Sequence, residues 1–203
     1  MPVSVTVYRH LGVIETKTKN QKGEKTMRIT KKLGKLDADF AGLSWAIKAK
    51  DEAGARYDLV KFDKGVITCT DGKRLHSYTS KYEVPDGVYR VVKINQNAFE
   101  FIVTEDKFPN IDVVMPCKNG TAQKYLWKYD VSPNSMYHKF VAEVFRKADV
   151  SYAWEPQYLI DAFVPGVVIS FLHTKENGTP LWIVSDNGQY EALVMPVYIP
   201  DWK

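Results

Sequence analysis

The chain has almost no cysteine: Cys69 and Cys117 are the only two among 203 residues, far apart and without Cys-x-x-Cys spacing. That argues against a disulfide framework or a cysteine-based zinc site, and buried free thiols are the expectation. A long apolar run is also missing. Nothing approaches the roughly 18 to 20 residues needed to span a bilayer, so no integral membrane protein is expected. The leading residues Met1-Pro2-Val3-Ser4-Val5 lack the basic-then-apolar layout of a signal peptide, and the expected location is the cytoplasm. The motifs of catalysis are absent too. His10, His76, His138 and His173 are scattered, with no HExxH or HxH spacing to hold a metal. There is no GxSxG elbow, no GxxxxGK[ST] loop and no GxGxxG. Asp63, Asp71, Asp161 and Asp186 fall in turns or a helix, where an aspartate usually serves structure. Neither an enzyme nor a cofactor nor a metal is expected.

What is present is the balance of an ordinary globular chain. Hydrophobic residues make up 45% and charged residues 26%, which excludes a disordered or low-complexity protein. The charge is unevenly spread. Residues 1–36 carry nine Lys and Arg against Glu15 and Glu24, while the remainder carries nineteen against twenty-two acids. The body is mildly acidic and the basicity sits in front. Such a segment suits contact with a polyanion, or equally a solvated, Lys-rich hairpin that discourages aggregation.

A repeated order of elements is the strongest pattern. Asp37-Ala38-Asp39 can cap a helix with Phe40, Leu43 and Ile47 at helical spacing, and Gly54 can end it. Three strand-like runs follow, Arg56 to Phe62, Val66 to Thr70 and Arg74 to Tyr82, separated by Asp63-Lys64-Gly65 and Asp71-Gly72. Near the end of the sequence the order returns. Pro156 opens a helix with Leu159, Ala162 and Phe163 on its apolar face, and Pro165-Gly166 stops it. Runs at Val167 to Thr174, Pro180 to Val184 and Gln189 to Ile199 follow, with Asn-Gly turn chemistry between them. The predicted class is α+β, with two pseudo-repeated halves of a helix on an antiparallel meander.

Two further helices are predicted between these units. Lys93-Ile94-Asn95 leads into one over Gln96 to Thr104, striped by Phe99, Ile102 and Val103. Ser132-Pro133 opens another through about Ala148, with Tyr137, Val141, Val144 and Ala148 on one face and Lys139, Glu143, Arg146 and Lys147 on the other. Cys117-Lys118-Asn119-Gly120-Thr121 breaks both periodicities and is the candidate linker, dividing residues 1–116 from 117–203. The leading segment, residues 1–36, reads as a basic hairpin with arms Val3 to Thr18 and Thr26 to Leu33.

Four stretches resemble a known family, in family order. Thr70-Asp71-Gly72-Lys73-Arg74-Leu75 looks like the strand-turn-strand signature of the β-subunit sliding clamp of bacterial DNA polymerase III. Phe108-Pro109-Asn110-Ile111-Asp112-Val113-Val114-Met115-Pro116 is similar to the stretch that closes that clamp's middle domain. Tyr158-Leu159-Ile160-Asp161-Ala162-Phe163 resembles the final helix of its last domain, and Leu193-Val194-Met195-Pro196-Val197 its C-terminal strand. The resemblance covers roughly Asp37 to Ile199 and implies a DNA clamp-like, two-domain version of a three-domain family, compact as in a phage or mobile element.

The resemblance implies a processivity factor without chemistry, which binds double-stranded DNA non-specifically and tethers DNA polymerase or repair proteins. Phosphate contact would fall to Lys48 and Lys50 on the first helix, Lys93 before the second, and Lys139, Arg146 and Lys147 on the third. The competing reading is a set of solvated helix charges, with Glu143 and Arg146 paired at i,i+3. Clamp-binding peptides would dock in a groove of Thr70, Gly72, Arg74, Leu75, Pro116, Leu193, Val194, Met195 and Pro196, an apolar floor with a basic rim that Trp202 could cover. Three copies would close a six-domain ring. Two alternatives stand beside this one. The first is a clamp-fold adaptor or decoy that binds such peptides without encircling DNA. The second is a single-stranded nucleic-acid binder that stacks bases on Trp45, Trp127, Trp154 and tyrosine side chains.

Overall fold

The computed structural model describes residues 4–9, 12–17, 25–31, 37–50, 58–114, 123–127, 152–164, 169–173 and 180–198. The chain divides into two compact units, Met1–Asp71 with Ser77–Pro109, and Gly72–His76 with Asn110–Lys203. The described pairings of both are antiparallel.

In the first unit the leading strands are β1 (Ser4–Arg9), β2 (Gly12–Lys17) and β3 (Thr26–Thr30), followed by α1 (Ala38–Ile47). Then come β4 (Leu59–Asp63), β5 (Val66–Thr70), β6 (Arg74–Thr79, of which only the residues from Ser77 on belong to this unit), β7 (Gly87–Ile94) and β8 (Ala98–Val103). The strands lie side by side as β1-β2-β3-β8-β7-β4-β5-β6. β4 and β5 close through a two-residue Lys64-Gly65 turn, with Asp63 opposite Val66 and φ of 50° and 80° at the two turn residues. Positive φ at both central positions is the hairpin turn whose twist matches the strands, which is why the Gly is there.

One face of this sheet builds a core. Across the ladder Met27 stands opposite Phe101 and Ile29 opposite Phe99, and all four side chains are buried. Phe62 meets Tyr89 and Phe101 edge-on at 5.5 and 5.8 Å. α1 packs on β5 and stacks Phe40 on Phe99 at 4.3 Å. Each of these side chains contributes about 1.5 to 3 kcal/mol by leaving water. Asp37 caps α1 as its sequence predicts, its Oδ1 accepting from the Phe40 N–H at 3.0 Å.

Two expectations are corrected by this sheet. The helix predicted over Gln96 to Thr104 is the strand β8, paired with both β3 and β7. Its apolar residues fit either period, but Phe99 and Phe101 are both fully buried, and a helix with Phe99, Ile102 and Val103 inward would turn Phe101 away from the core. Asn95 completes the hairpin, its Oδ1 accepting from the N–H groups of Asn97 and Ala98 at 2.9 and 2.7 Å. Lys93 therefore precedes no helix; it lies on β7, exposed, in register with Glu100. The leading hairpin is also different: its first arm doubles back as β1 and β2, from Ser4 opposite Lys17 to Arg9 opposite Gly12, and β2 then pairs β3.

The second unit contains β9 (Gln123–Trp127), β10 (Tyr152–Ala153), α2 (Pro156–Ala162), β11 (Ile169–His173), β12 (Leu181–Ser185), β13 (Tyr190–Val194) and β14 (Val197–Tyr198). Its main strands run β13-β12-β11-β9, and β10 pairs β14 separately. The helix-then-three-strands order of the first unit recurs in α2, β11, β12 and β13. The helix expected near Ser132 to Ala148 and the linker at 117–121 lie outside the described residues.

Candidate peptide groove

The candidate site is assembled inside the second unit. Gly72 has a φ of 83°, which lets the chain reverse tightly between Asp71 and Lys73. The turn is then tied to the distant C-terminal segment, where the Met195 N–H donates to the Lys73 carbonyl at 2.8 Å. Beyond this bond Pro196 has no N–H, and Val197 and Tyr198 pair with Ala153 and Tyr152.

Burial sorts the predicted groove residues into two sets. Leu75, Leu193 and Val194 are almost completely enclosed and act as support beneath the surface. Gly72 and Lys73 are exposed, Met195 and Pro196 are half-buried, and Val197 is exposed. The reachable strip is therefore Met195-Pro196-Val197 beside the Gly72-Lys73 turn. Thr70 ends β5 in the first unit and is buried. Pro116 and Trp202 lie outside the described residues.

Arg74 does not stand on a basic rim. Its side chain is only 8% exposed, and its Nη1 donates to Asp161 Oδ2 on α2. The guanidinium carbon lies 4.6 Å from the centre of the Tyr158 ring, a cation–π arrangement. The other oxygen of Asp161 accepts from Gln157 Nε2 at 3.0 Å. α2 is short and begins at Pro156, whose fixed φ suits a first turn. Leu159, Ala162 and Phe163 are buried and α2 packs on β13, while Tyr158 and Asp161, at i,i+3 spacing, both meet Arg74 and Gln157 reaches Asp161 at i,i+4. The sequence places Tyr158 and Asp161 on a family-like helix but does not reveal their link to Arg74. The apolar face of the helix hints at which flank is free; nothing in the sequence points across 87 residues to the partner.

The cations considered for DNA are not gathered in one place by the described residues. Lys48 is exposed at the C-cap of α1, Lys50 is half-buried, and Lys93 is on β7. Most of α1 is buried, and its exposed positions are Ala38 and Ala41. Lys139, Arg146 and Lys147 lie outside the described residues. Trp45 and Trp154 are buried at 6% and 5% exposure, so neither offers a face for base stacking. Among the described residues no group of three His, Cys, Asp or Glu could hold a metal ion, and no helix is long and apolar enough to cross a membrane.

No family model matches the chain, and no curated protein matches it. The crystal structure of a "Putative DNA polymerase III beta subunit" from Eubacterium rectale ATCC 33656 aligns with 93% of this chain and 77% of its own, at a TM-score of 0.49 and 8% sequence identity.

Proposed function

We propose that this chain is a clamp-like tethering protein without catalytic activity, which captures short apolar peptides of DNA polymerase or repair proteins and meets duplex DNA through phosphates alone. One contact carries the peptide half of this reading. The Met195-to-Lys73 hydrogen bond sets the Gly72-Lys73 turn beside the Val-Met-Pro segment, two stretches that the family resemblance assigns to one groove. A shallow strip with an adaptable methionine suits a peptide held by a few large side chains. A peptide carrying Gln and two large apolar residues is expected to shift the resonances of Lys73, Met195 and Val197. Met195→Ala should weaken it by about 1 to 2 kcal/mol through lost contact area, with a melting curve on the same variant to separate binding from folding. Shifts elsewhere, or no binding at millimolar peptide, would refute the groove.

The adaptor reading, in which the chain does not encircle DNA, gains from one observation: the exposed side of α1 offers alanines and a single exposed lysine, Lys48. DNA binding through Lys48, Lys50, Lys93, Lys139, Arg146 and Lys147 should be sequence-independent and steeply salt-sensitive. Changing Lys139, Arg146 and Lys147 together to Glu should abolish it. Light scattering divides the readings, since three copies of a two-domain chain would be needed to close a ring and an adaptor can work as a monomer.

A further inference from the structure

The chain holds three Asn-Gly pairs, Asn119-Gly120, Asn177-Gly178 and Asn187-Gly188, and the last lies among the described residues, at the tip of the β12–β13 hairpin. Such a peptide is chemically weak, because glycine has no side chain to shield its nitrogen from the asparagine before it. Here both reacting groups are held. The Gly188 N–H donates to the Ser185 carbonyl at 2.8 Å, with Gly188 at a φ of 66°. Asn187 Oδ1 accepts from Ser185 Oγ at 2.7 Å and from the Gln189 N–H at 3.0 Å, and Asn187 Nδ2 donates to Gln189 Oε1 at 3.1 Å. Ser185 is buried, and its Oγ accepts from the Tyr190 N–H at 2.9 Å, which leaves its own proton directed at Asn187. A buried hydroxyl thus fixes an exposed carboxamide.

We infer that Asn187-Gly188 is a latent modification site, a spontaneous deamidation site that Ser185 keeps closed. The inference is independent of the tethering reading. In the reaction the Gly188 amide gives its proton to hydroxide, and its nitrogen attacks Asn187 Cγ. The new C–N bond closes a five-membered succinimide, the Cγ–Nδ2 bond breaks, and Nδ2 leaves as ammonia with a proton from water. Water then opens the ring, at Cγ to give aspartate or at the backbone carbonyl to give isoaspartate. Closure requires the nitrogen and the carbon to meet, and small misplacements slow such steps steeply. The two donors on Oδ1 also polarise the carbonyl, which favours attack. Position decides, because polarisation helps only once the nitrogen has reached the carbon. Aspartate at this place keeps an acceptor for Ser185 and Gln189. Isoaspartate adds a methylene to the main chain, within the turn that sets the register of β12 against β13.

The test incubates the full chain at mildly alkaline pH, folded and in denaturant. Peptide mapping by mass spectrometry follows each Asn-Gly pair, with isoaspartate separated from aspartate by chromatography. In the parent, deamidation at Asn187 should be slower by about tenfold or more in the folded chain than in the denatured one. Ser185→Ala, shown folded by its melting curve, should speed the reaction at Asn187 by about fivefold or more, while Asn119 and Asn177 keep their parental rates. That contrast separates release of one turn from a general loosening of the chain. Should Ser185→Ala not fold, Ser185→Cys takes its place, since a thiol of similar size is a weak donor, and the same gain is expected. A folded parent that deamidates at Asn187 as fast as the denatured chain overturns the inference. Equal acceleration at all three pairs overturns it as well. So does a folded variant whose rate at Asn187 is unchanged or slower, because a slower rate would make the hydroxyl an activator of the carbonyl.

Discussion

The two helix-plus-meander arrangements share an order of elements and differ in how the helix is fastened. α1 is held by neutral hydroxyls reaching carboxylates. Tyr78 Oη donates to Asp39 Oδ1 at 2.7 Å, the Lys81 N–H reaches the same oxygen at 3.2 Å, and Tyr82 Oη donates to Asp37 Oδ2 at 2.7 Å. α1 also sits directly on a ring: a Cβ added at Gly42 would lie 2.1 Å from Tyr78 Cζ. α2 is shorter, its N-cap Glu155 makes no side-chain cap bond, and its polar fastening is the Arg74–Asp161 pair beside Tyr158. One strand, β6, supplies both fastenings, Tyr78 to the first unit and Arg74 to the second. A repeated order therefore says that a helix will dock, and leaves open whether hydrogen bonding or charge does the docking.

Four experiments break or sharpen that contrast. The largest effect is expected at the tightest approach. Gly42→Ala gains a little helix propensity, but it drives a methyl group into a ring already bonded to Asp39, and about 3 kcal/mol of stability should be lost in denaturant unfolding. A loss of less than about 1 kcal/mol would mean that the Tyr78 ring gives way easily. Next comes Asp161→Asn, which removes the carboxylate that Arg74 bonds on α2. Both partners are slightly exposed, at 8% and 18%, so the cost should be about 2 kcal/mol, below that of a fully buried pair. Repeating the melt with Arg74→Gln added should recover part of it, since the enclosed charge that Asp161 pairs is then removed as well.

The third experiment uses pH. Burial, and then the hydrogen bond and negative charge of Asp37, push the Tyr82 phenol well above its ordinary value near 10, and burial with Asp86 pushes Tyr89 up too. A phenol whose folded value is raised contributes fully below the unfolded value. Its contribution falls as the unfolded chain ionises above about pH 10. Stability should thus decline on the alkaline side, and Tyr82→Phe should make that decline shallower while costing about 1 kcal/mol at neutral pH through the lost bond to Asp37. Parallel curves for parent and variant would show that Tyr82 does not drive it. The smallest effect belongs to α2: Pro156→Ala should cost only about 0.5 kcal/mol in the same unfolding measurement, because its main consequence is a freer unfolded chain.

Much of the first unit is legible in the sequence. Asp37, Phe40, Leu43 and Ile47 spell out a capped helix, and the strand-like run Val66 to Thr70 matches β5 to the residue, because local chemistry and burial agree there. The Gln96 to Thr104 stretch misleads because Phe99, Phe101, Ile102 and Val103 satisfy both periods, and only the neighbours β3 and β7 select one. In the candidate groove, the resemblance to the clamp family points to the stretches at Thr70 to Leu75 and Leu193 to Pro196. It does not tell that Leu75 and Leu193 are support or that Arg74 is enclosed. Turn chemistry is local, whereas exposure depends on what packs above.

The sequence by itself determined the capped start of α1 and the turn-bounded strand β5, because capping residues, glycine turns and apolar periods act over a few neighbouring residues and need no partner to be read. Only the tertiary structure decided that Met195 bonds to Lys73, that Arg74 is neutralised by Asp161, and that Tyr78 lies against Gly42. Those are contacts between residues tens to more than a hundred positions apart. Each partner is compatible with many others until the backbone brings one within reach, so their energies are properties of the packed chain and of no segment alone.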